Sequence, residues 1–489
     1  MPTLTFGALN LLAILPILIV VGWACVLLMV DLFLPPGRKR VTAWLAFVGL
    51  LAALVATVLQ IGTSQEAFGG MLVVDGFAIF LNIVFLVTAL LGVLISTHYL
   101  ARTGIERGEY YALLLFTTSG MMVMTIAADL IVVFLALELL SIPLYIMAGF
   151  ARPKLASEES AMKYFLLGAF ASAFLVYGIA LTYGATGSTG LENVVAALSG
   201  EVARSPLLLI GMGLILVGLG FKVAAVPFHM WTPDVYHGAP TPVTGFMSVG
   251  AKAGGFAALL RVFVTAFPAM AVEWGLLVQI VAAATLILGN VVAISQTNIK
   301  RMLAYSSIAH AGYILMAVAA SADGAVADLA VSSALFYLLA YTFTNLGAFA
   351  VVIALERDDG SGGELDDFAG LGRAKPLTAL AMALFMLSLT GIPPAAGFVG
   401  KFFVFQATLQ AGLIALAIVG VVTSLISAYY YLRVVIIMYM RDSEAEPAVA
   451  LQPALRAALV LTGLGTFVLG VIPTPMFDLV RQSLLTLYG

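Results

Sequence analysis

The chain has 489 residues, 62% of them hydrophobic and 10% charged, and 22 basic against 25 acidic side chains leave a net charge of −3. Apolar stretches near or above the roughly 20 residues of a spanning helix recur along its whole length, which excludes a soluble domain, and the charge balance offers no basic surface to nucleic acid. A single cysteine, Cys25, excludes a disulfide framework or a thiolate-ligated iron–sulfur cluster built from this chain, and the four histidines show no close metal-ligand spacing on one helix face.

The apolar segments are too long and too evenly apolar for barrel strands, and backbone groups in lipid must pair internally, so the expected fold class is an all-α polytopic membrane protein. The first segment, residues 9–34, follows a stretch without basic residues and exceeds the roughly 7–15 residues of a signal-peptide core, so it reads as a retained helix. Further segments at 42–61, 73–97, 110–127, 130–150, 160–184, 206–228, 240–266, 271–294, 299–320, 326–355, 376–410, 413–440 and 453–473 bring the predicted spans to fourteen.

Basic residues mark alternate loops. One set carries Arg38, Lys39, Arg40, Arg102, Arg107, Arg152, Lys154, Lys300, Arg301, Arg357, Arg373, Lys375 and Arg441, and the other only Arg204, Arg261 and Arg481 at or near it. The basic set is expected in the cytoplasm, with both termini on the periplasmic side of a bacterial inner membrane. Of the longest hydrophilic loops, 187–205 and 357–375, the second contains RDDGSGGELDD, whose spacing fits neither a P-loop nor an EF-hand. It is expected to be a solvated connector. No soluble domain is predicted, so nicotinamide, flavin or nucleotide chemistry belongs to a partner.

A few ionisable residues remain inside the predicted spans: Glu138, Lys163, Lys222, Lys252, His310 and Lys401. A charge at the bilayer centre costs about 2.5–3.5 kcal/mol on insertion scales, and a lysine withheld from water becomes able to release its proton near neutral pH. Lys163 lies about one turn into its helix and can snorkel, and His310 reads either as hydrogen-bonded core or as a proton carrier among Ser306, Ser307 and Tyr313. Glu138 reads as the only acid well inside a span, too few for a salt bridge to each of Lys222, Lys252 and Lys401.

Prolines stand beside two of these lysines. Lys222 precedes Pro227, and Lys401 follows Pro393 and Pro394, so both helices should be broken there, each break marking a hydrated pathway. The breaks suggest an internal duplication into two five-helix units, which, being odd in number, would be inverted. The corresponding division is 1–108, three helices; 109–268, the first repeat; 269–442, the second; and 443–489, a last helix and tail. An offset of 172 carries Glu138 onto His310, a suggestive match.

The stretches KVAAVPFHMWTPDVYHGAPTPVTGFMSVGAKAGGFAALLR, QTNIKRMLAYSSIAHAGY and SLTGIPPAAGFVGKF resemble the antiporter-like membrane subunits of proton-pumping NADH:quinone oxidoreductase, respiratory complex I, over nearly the whole chain. Within that family, PDVYHGAPTPVTGFMS resembles a group other than the sister subunits M and L. The resemblance implies that Glu138 modulates Lys222, that a proton passes through Lys252 and His310, and that Lys401 releases it, with Lys163 also on a path position. It implies no cofactor in this chain, with FMN, iron–sulfur clusters and quinone in other subunits. The implied partners are subunits M, L, J and K, a peripheral arm and membrane lipids. His229 and His237, just past the first break, read either as a cytoplasmic proton inlet or as ligands of loop carbonyls. Two other functions compete: a Mrp-type cation/proton antiporter subunit using the same lysines, and a scaffold whose buried charges are dispensable.

Overall fold

A computed structural model describes residues 9–35, 38–198, 202–357, 361–442 and 449–483. The helices, in chain order, are α1 (Leu15–Phe33), α2 (Arg40–Val58), α3 (Gly76–Arg102), α4 (Glu109–Ile126), α5 (Leu130–Ala148), α6 (Leu155–Thr186), α7 (Leu191–Ala197), α8 (Pro206–Val223), α9 (Trp231–Gly238) and α10 (Thr241–Leu259). There follow α11 (Ala271–Ile294), α12 (Ile299–Ala320), α13 (Ala327–Leu355), α14 (Leu371–Ala374), α15 (Pro376–Thr390), α16 (Ala396–Gln410), α17 (Ile414–Met440), α18 (Pro453–Val471) and α19 (Thr474–Gln482).

Among the described residues, twelve helices are long and apolar enough to cross a membrane: α1, α2, α3, α5, α6, α8, α10, α11, α12, α13, α17 and α18. Of the fourteen predicted segments, two are not in that set. One is α4, whose sequence EYYALLLFTTSGMMVMTI is diluted by hydroxyls and an acid; the other is 376–410, which splits into two 15-residue helices, α15 and α16.

The spanning helices are apolar over most of their surface, as lipid on one flank and protein on the other require. α10, α12 and α13 are enclosed almost completely, whereas α1, α6 and α18 bury only about a third of their length and present side chains such as Phe170 and Leu464 outward. The enclosed helices can approach closely because they are rich in small residues. A Cβ on Gly245 of α10 would stand 3.2 Å from Phe349 Cβ of α13, and one on Gly289 of α11 would stand 2.7 Å from the Ala309 nitrogen of α12.

Two details differ from the sequence expectations. A short antiparallel pair, β1 (Gln65–Ala67) with β2 (Leu72–Val74), closes the turn between α2 and α3, in register Glu66 opposite Val73. The 357–375 loop, of which residues 358–360 lie outside the described set, is more than a solvated connector. Leu365, Phe368 and Leu371 are buried, and Ile299 N and Leu365 N bond to the Gly363 and Thr297 carbonyls, each at 2.8 Å, docking the loop on the start of α12. The charges of RDDGSGGELDD masked three hydrophobic anchors at or just beyond its end.

Candidate functional site

The first break lies between α8 and α9. Lys222 is in the last turn of α8, which ends at Val223 with Ala224 in the left-handed region at φ 61°. The carbonyl of Phe221 accepts from Ala224 N and from Trp231 Nε1, each at 3.1 Å, and the Val226 N–H donates to Thr285 Oγ1 at 3.0 Å, so the interruption is hydrogen-bonded inside the protein. The second break separates α15 from α16. Gly391 terminates α15 at φ 89°, and a Cβ on Gly397 of α16 would fall 1.9 Å from the Ser388 carbonyl oxygen, so the half-helices meet more closely than any other residue type allows.

Three lysines of the predicted set are buried: Lys222 is 3% exposed, Lys252 2% and Lys401 4%. Lys222 Nζ donates to Ser141 Oγ at 2.7 Å and Tyr164 Oη at 3.1 Å, and lies over the Tyr164 and Tyr145 rings. Lys252 donates to the carbonyl and hydroxyl of Ser307. Lys401 reaches back from α16 to the Leu389 and Thr390 carbonyls at 3.1 and 2.8 Å, and to Ser424 Oγ at 3.0 Å. It occupies the negative end of the α15 half-helix, where freed carbonyls favour a cation. Among the described residues, no carboxylate lies within ion-pair distance of these three ammonium groups.

Glu138 is half-buried on α5, one turn before Ser141, and accepts from Ser172 of α6. Ser141, Ser172 and Lys222 line one narrow gap between α5, α6 and α8, so Glu138 approaches Lys222 through hydroxyls and not as a direct ion pair. A Cβ on Gly255, one turn beyond Lys252, would stand 3.3 Å from Lys222 Cβ, which shows how closely α10 passes the first lysine. Ser307, the acceptor for Lys252, is one turn before His310 on α12. His310 is 3% exposed, with Nδ1 2.7 Å from Tyr337 Oη and Nε2 3.0 Å from Tyr431 Oη. Its ring also borders a cavity of about 10 Å³, close to the size of one water, shared with Ser388 and Leu389. The Leu389 carbonyl is a partner of Lys401. Hydroxyl-bearing side chains thus link Glu138 toward Lys222 and surround Lys252, His310 and Lys401, while the packing of α10 against α8 brings the first lysine's helix close to the second's.

The remaining predicted residues lie elsewhere. Lys163 is 40% exposed on α6 and pairs with Glu159 and Asp234, each at 2.7 Å. Asp234 also receives Arg301 at 2.9 Å; although burial works the other way, Lys163 and Arg301 hold its carboxyl below the usual range. His229 follows the first break, and burial lowers its imidazole below the ordinary value. His237 ends α9, 3.3 Å from Asn298 Oδ1 at the mouth of a separate cavity.

Buried charge was underestimated in the sequence. Glu138 is not the only enclosed acid: Asp75 is 2% exposed and forms a two-pronged pair with Arg261 at 2.6 and 2.8 Å, while Glu356 is 9% exposed. Asp75 and Arg261 lie in the outer few residues of predicted spans and Glu356 just beyond one, positions that read as ordinary span ends. Their burial comes from neighbouring helices, which leave no trace in a single-chain hydropathy pattern. The tyrosine shell of His310 was equally hidden, since Tyr337 and Tyr431 come from α13 and α17.

Residues 127–427 match the family described as NADH:quinone oxidoreductase/Mrp antiporter, TM. A relative from Chloroflexus aggregans, named NADH-quinone oxidoreductase subunit N, is 49% identical over 493 residues and is covered, like this chain, to 100%. A chain in the structure of respiratory complex I from Thermus thermophilus with bound aureothin aligns with a TM-score of 0.81 at 37% identity, over 95% of this chain and 99% of that one. A chain of the Mrp complex from a Dietzia species aligns with a TM-score of 0.85 over 99% and 97%, but at 22% identity, a likeness of fold alone.

Proposed function

The chain belongs to the subunit N group of the NADH:quinone oxidoreductase/Mrp antiporter family, and from that premise we propose that its proton path runs through Glu138, Lys222, Lys252, His310 and Lys401. The chain is a proton-translocating membrane subunit of NADH-quinone oxidoreductase. The observation that carries the path is the set of three enclosed ammonium groups held only by hydroxyls and backbone carbonyls. A structural ion pair needs a carboxylate partner, whereas a group that gains and loses a proton needs neutral partners that serve both of its forms. Relatives near half identity over the full length favour this family group over the Mrp reading, which rests on fold.

In this scheme Glu138 tunes Lys222 electrostatically, Lys222 exchanges with Lys252, and His310 hands the proton on to Lys401 for release. Lys163 is a surface relay on the same helix as Tyr164, and His229 and His237 flank the inlet side. Driving energy comes from quinone reduction in partner subunits holding FMN and iron–sulfur clusters, with M, L, J and K as membrane neighbours. The test is a vesicle preparation of the assembled complex carrying Glu138→Gln, which keeps shape and hydrogen bonding. Proton uptake is expected to fall about tenfold with subunit content unchanged; normal uptake would remove Glu138 from the path.

The fold is read as fourteen spans, counting α4 and the α15/α16 pair with the twelve. Helices α4, α5, α6, α8 with α9, and α10 form one unit, and α11, α12, α13, α15 with α16, and α17 its inverted counterpart. Both interrupted members end their first half on a left-handed residue, Ala224 or Gly391, which supports the correspondence. Residues 1–108 precede the repeats and 443–489 follow them, of which 443–448 and 484–489 lie outside the described residues. Both termini are placed on the periplasmic side of the inner membrane. In a Cys25→Ser background, single cysteines at Ser64 and Ser188 are expected to react with an impermeant maleimide in intact cells. One at Ser361 is expected to react only after permeabilisation. The reverse pattern would invert the orientation.

A further inference from the structure

Near the start of α10, remote from Lys252, lies another buried carboxylate. Glu356, which follows the last residue of α13, accepts from Tyr99 Oη of α3 at 2.8 Å and from the Thr241 hydroxyl at the start of α10. It borders a cavity of about 210 Å³ shared with Lys154, His237, Asn298 and Lys300, large enough for several waters. The Lys300 ammonium is engaged by the Ala239 carbonyl at 2.7 Å. Lys154 and Lys300 belong to the basic set of loops, so the cavity opens on the face assigned to the cytoplasm.

From this cavity a stripe of polar side chains runs inward along α10. Thr241, Thr244, Ser248 and Lys252 follow one another at helical spacing and share one face, and the whole helix is buried. Lys252 stands eleven positions after Thr241, about 16 Å along the helix. Beside the stripe, Asn345 Nδ2 of α13 donates to Ser248 Oγ at 2.7 Å, while its Oδ1 is buried with no hydrogen-bond partner among the described residues. A buried polar atom left so is costly unless water reaches it.

We propose that Glu356 is the proton-collecting group at the cytoplasmic face and that the Thr241–Thr244–Ser248 stripe leads from it to Lys252; this rests on Lys252 belonging to the proton path. The carboxylate takes a proton supplied by the aqueous phase through the cavity and becomes neutral. That proton then passes along hydroxyls and water to the Lys252 amine, which becomes ammonium as the carboxylate is restored. Fastening α13 to α3 and α10 would explain the two hydrogen bonds, but neither the cavity nor the stripe.

The assembled complex in vesicles distinguishes the two roles. Glu356→Gln keeps length and an acceptor oxygen but cannot carry the proton, whereas Glu356→Asp keeps the titrating group and shortens its reach. Proton relay predicts that Gln slows uptake about tenfold or more while Asp retains most of it. Fastening predicts the opposite ranking, and normal uptake by Glu356→Gln overturns the proposal. Lys252→Gln is measured in parallel: normal uptake there removes Lys252 from the path, whereas impaired uptake there with normal uptake in Glu356→Gln overturns the inlet alone. If Glu356→Gln does not assemble, Ser248→Ala, which leaves the Tyr99 and Thr241 contacts in place, is expected to slow uptake severalfold, and unchanged uptake overturns the stripe.

Discussion

Lys222→Arg is expected to leave an assembled complex that takes up protons at roughly a tenth of the normal rate or less, the scale on which a positioned proton donor contributes. Arginine preserves the charge but stays protonated in proteins, so it cannot alternate between charged and neutral forms. The surroundings of Lys222 make this alternation physically reasonable. Ser141 and Tyr164 can accept from the ammonium or donate to the amine, and the Tyr164 and Tyr145 rings shield it from water. Lys222→Ala should be equally impaired. A salt bridge to Glu138 predicts arginine tolerated and alanine damaging, and among the described residues no such bridge is present. Proton uptake into vesicles, with subunit content checked on a native gel, decides between them; full pumping by the arginine variant would show that Lys222 does not release its proton.

Asp75→Ala is expected to cost about 3–5 kcal/mol and to lower the amount of assembled complex sharply, because it strands a buried guanidinium. Arg261 is 1% exposed, lies over the Phe77 ring, and donates both to Asp75 and to the Thr125 carbonyl at 2.7 and 3.1 Å. The same carboxylate caps α3 by accepting from Ala78 N at 2.9 Å, so the Asp75–Arg261 pair joins α3, α4 and the end of α10. Replacing both partners, Asp75→Leu with Arg261→Met, should restore much of the loss, since a packed apolar pair avoids the desolvation that the ion pair must offset. The thermal midpoint of the purified complex and its yield provide the measurement. An unchanged midpoint in Asp75→Ala would show that the pair contributes little.

The chain alone determined its class, its breaks and its three central lysines. Spanning helices follow from uninterrupted apolar length, and a charge or a proline inside such a run stands out because lipid leaves no other account of it. Lys222, Lys252 and Lys401 were legible for that reason, and the interruptions at Ala224 and Gly391 followed from Pro227 and from Pro393 with Pro394.

Only the tertiary structure decided what those groups touch. Charges near the ends of apolar runs are ambiguous in sequence, since the same position can face water or be covered by a neighbouring helix. Asp75, Arg261 and Glu356 proved to be covered, whereas Lys163, read as lying within a span, is 40% exposed beside Asp234. Likewise the partners of His310 come from helices distant in the chain, and whether Lys222 meets a carboxylate or hydroxyls depends on how α5, α6 and α8 pack. Hydropathy is a property of one segment in its solvent, but a hydrogen bond between helices is a property of two, and its geometry is set when their surfaces are packed together.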